Sequence, residues 1–198
     1  MSTAGTILRG EGEGERLWCA GGGVFTMKAT SEETDGAFSL WEDQMARGKT
    51  TPLHTHPNVD ETIIVLEGEI LIYAEGREHR VGPRGVAVAL RGAPHAFMVT
   101  SESALILTLQ TPGSGEVFYR DASEPATAET DSARTDFDRV RAAAERHPDL
   151  MQILGPPRSR RRGSSPPREP KPKSVSHRLT IYQTGGEELT PERRGTSC

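Results

Sequence analysis

From Val24 to Pro112 the chain is a succession of short apolar runs, each broken within a few residues by glycine, proline or charge. The runs are Val24–Lys28, Phe38–Met45, Thr62–Leu66, Ile70–Ala74, Glu78–Val81, Val86–Leu90, His95–Val99 and Ala104–Thr111, with Val117–Arg120 just beyond. They are rich in Val, Ile, Leu and aromatic residues and too short for helices, so each reads as a strand. Glu67-Gly68 and Glu75-Gly76 fall where adjacent runs must reverse direction, and glycine accepts the positive φ of a tight turn. Many short strands at close spacing predict an all-β sandwich or barrel, here spanning residues 24–121.

The flanks read differently. Residues 1–23 are rich in Gly and Glu and end in Gly21-Gly22-Gly23, which predicts a flexible leader with at most a short strand near Leu17–Cys19. In the segment 122–157 apolar residues recur at three- to four-residue steps: Phe137, Val140, Ala144, Met151 and Leu154. That period predicts a helix over Asp136–Leu154, capped by Thr135 or Asp136 and kinked at Pro148. Residues 158–198 are basic and rich in Pro, Ser and Arg. This composition buries too little apolar surface to offset ordering entropy and predicts a disordered tail.

Charge sharpens the division. The net charge is −4, yet the tail holds ten Lys/Arg against four acids, so the rest of the chain is strongly acidic. An acidic body excludes nucleic acid as the partner of the barrel. No run of 18 apolar residues exists, so no membrane span is expected. Cys19 and Cys198 form no Cys-x-x-Cys pair or disulfide framework, and a reducing cytoplasm is the expected location.

The candidate chemistry lies at His54, His56, Glu61 and His95. Imidazoles two residues apart on an extended chain share one face. A carboxylate five residues on and a third imidazole from a later strand can converge with them on one divalent cation. Glu61 doubles as the candidate general base. No phosphate-binding glycine loop, Ser/His/Asp arrangement or cysteine nucleophile accompanies them.

The spacing Gly48-(x5)-His54-x-His56-(x4)-Glu61-(x6)-Gly68 resembles the first motif of the cupin superfamily at every position. Gly92 and His95 fit the second motif, whereas Leu90 and Val99 stand where the family has Pro and Asn, and Gly85 is offset by one. The resemblance covers about Phe38 to Gln110 and extends more weakly to Pro157, with Tyr119-Arg120-Asp121, toward small quercetin-dioxygenase-like cupins. It implies a double-stranded β-helix (jelly-roll) barrel with a metal in its mouth, and a homodimer.

Phe97 and Val99 share the strand face of His95, and with Tyr73 and Phe38 they are the candidates for a pocket lining. The expected activity is that of a metal-dependent, dioxygenase-type oxidoreductase using Fe, Mn, Ni, Cu or Zn, with O2 and a small phenolic or flavonol-like substrate. The alternatives are a non-oxidative cupin isomerase or cyclase and a non-catalytic small-molecule-binding cupin.

Overall fold

A computed structural model describes residues 5–130 and 134–157. The basic tail 158–198 lies outside the described residues. Twelve strands are formed: β1 (Arg16–Cys19), β2 (Val24–Ala29), β3 (Ser39–Ala46), β4 (Pro52–Thr55), β5 (Asp60–Glu67), β6 (Ile70–Ala74), β7 (Arg77–Val81), β8 (Val86–Ala89), β9 (His95–Val99), β10 (Ser103–Thr111), β11 (Ser123–Pro125) and β12 (Gln152–Pro157). Two helices are α1 (Glu116–Asp121) and α2 (Phe137–Arg146).

The strands form two antiparallel sheets packed as a jelly roll. One has seven strands in the order β11-β1-β2-β3-β10-β5-β8, the other five in the order β12-β4-β9-β6-β7. Alternation sets the inner faces. In β3 the inward residues are Ser39, Trp41, Asp43 and Met45; in β10 they are Ala104, Ile106, Thr108 and Gln110. Met45, Ile63, Val65, Ile70, Ile72, Phe97, Val99 and Ile106 fill the space between the sheets.

Gly68 closes the β5–β6 turn at φ +75°, and a Cβ there would stand 2.2 Å from the Ser103 carbonyl oxygen. Both its dihedral and its surroundings demand glycine.

Three expectations from the sequence change. The short strand expected near Leu17–Cys19 forms at Arg16–Cys19, yet it is no part of a flexible leader: it pairs with both β2 and β11 and buries Leu17, Trp18 and Cys19. The glycines that follow it mark the β1–β2 turn. Val117–Arg120, read as a strand, lies in α1, where Arg120 bonds Glu116 one turn back. The long helix stops at Arg146, just before Pro148, whose ring and missing N–H cannot continue it. Asp136 caps that helix by accepting from the Arg139 amide at 3.0 Å. Residues beyond it become β12, an edge strand beside β4, the position in a sheet that tolerates the Pro156-Pro157 pair.

Helix α2 buries Val140, Ala143 and Ala144 against Trp18, Phe118, Ala122 and Met151, so it packs on the seven-stranded sheet's β1 edge and on α1. Among the described residues no helix is long and apolar enough to cross a membrane.

Candidate metal centre

Register brings the site together. His54 on β4 is the cross-strand partner of His95 on β9, and Glu61 on β5 lies opposite Gln110 on β10. His56 follows β4 by one residue, and alternation returns its ring to the side of His54. The ring centroids lie 4.3 Å apart for His54–His95, 5.0 Å for His54–His56 and 5.5 Å for His56–His95. One donor atom from each of His54, His56, Glu61 and His95 lies within 4.8 Å of the other three, and all four residues are buried. The structure brings these four side chains together.

The hydrogen bonds fix the imidazole tautomers. His54 Nδ1 is 2.9 Å from the Pro52 carbonyl, His56 Nδ1 is 2.9 Å from the Leu150 carbonyl, and His95 Nδ1 is 3.1 Å from the Ala93 carbonyl. A carbonyl only accepts, so each Nδ1 must donate; in a neutral ring Nε2 then keeps its lone pair, as at His54 and His56, whereas the contact of His95 Nε2 with the Glu61 carboxylate needs a proton on that nitrogen as well. This orientation by backbone carbonyls is the support that metal-ligating imidazoles require. His56 Nε2 is buried with no hydrogen-bond partner, 3.6 Å from Glu61 Oε1. A buried, unpaired acceptor is costly unless something fills its lone pair. The donor set of three nitrogens and one carboxylate fits a single divalent transition metal.

Glu61 is gripped from both sides. Its Oε2 lies 3.1 Å from His95 Nε2. Its Oε1 accepts from Gln110 Nε2 at 2.9 Å and from the Tyr119 hydroxyl at 3.1 Å. Tyr119 is itself packed on Trp41, Phe118 and Phe25, with ring centroids 4.9, 5.0 and 5.6 Å away.

Burial drives His54 down to about 3, aided by the neighbouring His95 and His56. Burial also lowers His56, against the pull of Glu61. Burial pushes His95 down too, but the Glu61 hydrogen bond and charge outweigh it and raise this imidazole. Burial would raise Glu61, yet the charge of His56 and the contacts of His95 and His54 hold it well below the carboxylate range. Burial, then Glu61, raises Tyr119, which stays a hydroxyl donor. Neutral His54 and His56 beside an ionised Glu61 are the protonation states in which these groups ligate a cation, and His95 would give up the proton it shares with Glu61 to join them.

A cavity of about 60 Å3 opens beside His54 and Glu61 and is walled by Phe25, Trp41, Asp43, Lys49, Phe97, Ile106, Thr108 and Tyr119. Of the four candidates for its lining, Phe97 lies in the wall. Val99 belongs to the apolar core between the sheets. Tyr73, on the β6 face opposite Ile70 and Ile72, and Phe38, just before β3, are half-buried outside the cavity.

Gln110, Tyr119, Asp43, Lys49 and the Leu150 carbonyl were not among the sequence candidates. Gln110 and Asp43 did leave a trace, as polar residues at inward positions of apolar strands. Tyr119 and Leu150 reach the site through the chain's path after β10, which no local spacing encodes.

The family model of the cupin domain (Cupin_2) matches residues 41–109. The quercetin 2,3-dioxygenase of Bacillus subtilis is 26% identical over 114 residues, 58% of this chain and 34% of that protein. The match thus spans about a third of that relative's length. Similar solved structures include KdgF from Halomonas sp. (21% identity, TM-score 0.42, covering 46% of this chain and 79% of that one). Another is a predicted oxalate decarboxylase from Thermotoga maritima (18% identity, TM-score 0.48, covering 54% and 99%). The matched segment lies within the two antiparallel sheets that hold the His/His/Glu/His cluster, and residues 41–109 carry a cupin domain.

Proposed function

We propose that the protein is a metal-dependent oxidoreductase of the dioxygenase type acting on a compact oxygenated organic molecule. The observation that carries this reading is the buried set of three carbonyl-anchored imidazoles and Glu61, two of whose members, His54 and Glu61, line a small and mostly apolar cavity. His54, His56, His95 and Glu61 would hold Fe, Mn, Ni, Cu or Zn. The bound ion would supply Lewis acidity, lowering the pKa of a substrate hydroxyl.

The remaining work falls to the chain's own groups. Glu61 would take the hydroxyl proton at Oε2, while Gln110 and Tyr119 keep its other oxygen in place. The aromatic wall of Phe25, Trp41 and Phe97 excludes water and suits an unsaturated carbon skeleton. A cavity of about 60 Å3 holds only a few water-sized groups, so it favours a small enol, phenol or acid over a three-ring flavonol. The likeness to a quercetin 2,3-dioxygenase supports the reaction class, with a smaller substrate in this chain.

The test is metal analysis of protein purified without added metal, alongside a His54→Ala/His56→Ala variant, followed by O2 uptake with a panel of small phenols and enols. Metal in the wild type alone, with substrate-dependent O2 uptake that Glu61→Gln abolishes, is the expected result. Equal metal in both proteins refutes the site. Turnover that persists without O2 on a zinc-loaded protein moves the assignment to a cupin isomerase or cyclase.

The protein is also proposed to work as a homodimer. The outer face of the seven-stranded sheet presents Leu40, Leu107, Leu109, Ile64 and Val86 in adjacent registers, with Val88 beside them. Val86 and Val88 are 54% and 58% exposed. A contiguous apolar sheet face of this kind is suited to a second copy of itself. The one cysteine among the described residues, Cys19, is buried and free, in keeping with the reducing cytoplasm expected for this chain.

A further inference from the structure

A second charged group shares the cavity with the metal site. Lys49 and Asp43 both line it, and both are almost wholly enclosed, at 9% and 2% exposure. Lys49 Nζ bonds Asp43 Oδ2 at 3.2 Å and stands 4.5 Å from the centre of the Phe97 ring. The other carboxylate oxygen, Oδ1, is buried with no partner. It lies against Gly23, where a Cβ would come within 2.3 Å of it.

An ion pair inside a barrel costs more in desolvation than its own attraction returns unless further bonds complete it. This one is incomplete. An ammonium carries three N–H donors, and the Asp43 bond occupies one of them. The aromatic face below Lys49 offers attraction without accepting a conventional hydrogen bond.

We propose that Lys49, held by Asp43, is the anion-recognition residue of the cavity. It takes a carboxylate oxygen of a small hydroxy or keto monocarboxylic acid whose second oxygen function faces His54 and Glu61. The proposal rests on the metal-site reading above and narrows its substrate class. Asp43 acts as a positioning residue, fixing the ammonium so that its free N–H groups meet the ligand.

The test is calorimetric titration of zinc-loaded, full-length protein with glycolate and with its neutral analogue glycolamide. Zinc content and thermal melting are measured on every sample. Lys49→Met alone leaves Asp43 buried and unpaired and threatens the fold. The informative variant is therefore Asp43→Asn/Lys49→Met, which removes both charges. The expected result is glycolate binding to the wild type that is about tenfold or more weaker for glycolamide. A similar loss for glycolate is expected in the double variant, at unchanged zinc content, as befits a lost charge-assisted bond.

Equal affinity for glycolate and glycolamide, no binding of glycolate, or undiminished glycolate binding by the folded double variant would each overturn the proposal. The glycolate–glycolamide comparison needs no variant and decides the matter even if the double variant fails to fold. Failure of the wild type to take up zinc counts against the metal site instead. The same titrations on metal-free protein then decide the role of Lys49 separately.

Discussion

Tyr119 reaches the candidate carboxylate through its hydroxyl on Glu61 Oε1, and that contact separates two roles for the carboxylate. Groups that orient a metal ligand typically change metal affinity by roughly 10- to 100-fold when removed. Tyr119→Phe keeps the ring contacts with Trp41 and Phe25 and deletes this bond together with the one its hydroxyl accepts from Gln110 Nε2 at 3.3 Å. The Gln110 bond remains, so the expected outcome lies at the lower end, about tenfold weaker metal binding in a chelator competition, with an unchanged melting curve for the metal-free protein. A variant that binds metal as tightly as the wild type would show that Gln110 alone suffices. The ligand residues were legible in the sequence because three of them fall within eight positions and alternate in register. Gln110 and Tyr119 were not, since a lone Gln on an apolar strand and a Tyr among aromatics have no spacing to betray them. Pocket lining was legible only for Phe97. Val99 shares the inward face with it, but points into the core between the sheets, and the two-residue period of a strand cannot tell one part of the interior from another.

At the level of the elements, the turns were more legible than the ends. Glycine at position 68 was assigned to a hairpin from its context, and the structure adds that the Ser103 carbonyl leaves no room for a Cβ. Gly68→Ala is therefore expected to cost about 1–3 kcal/mol, through a strained φ and a displaced β10 strand. For a domain of this size that lowers the melting temperature by several degrees at least, and scanning calorimetry on the metal-free protein measures it. A shift below one degree would mean that the turn relaxes freely. The misread elements share one cause. In β1, α1 and β12 local propensity is weak or contrary, and tertiary pairing decides. The Val-Phe-Tyr run of α1 has strand propensity, yet the backbone of this segment winds into a single helical stretch that buries Phe118 and carries Tyr119 toward Glu61. Pro148 was correctly seen as an obstacle to the helix, but the strand that follows it is defined by β4, more than ninety residues earlier in the chain.

For the molecule as a whole, the apolar outer sheet face carries the prediction. Val88→Glu combined with Leu107→Glu places charge at its centre without touching the inner faces. Light scattering coupled to size exclusion is expected to show the wild type at twice the chain mass and the variant at the chain mass, with metal content retained. A monomeric wild type would assign that face another role. The general architecture was legible, because a β-rich, turn-punctuated chain of this length has few ways other than a sandwich or barrel to bury its apolar faces. The relation of the C-terminal segment to the site was not, because it depends on contacts between residues far apart in sequence.

That relation bears on when the site can first exist. His56 is anchored by the carbonyl of Leu150, and the His54 strand acquires its outer neighbour only from Gln152–Pro157. A nascent chain thus carries all four donors long before it carries the carbonyl that aims His56 and the strand that flanks His54. Emergence of residues 150–157 from the ribosome is the earliest moment at which the four donors can be held together, so an ion chosen by the complete set would come from the pool that surrounds the finished domain.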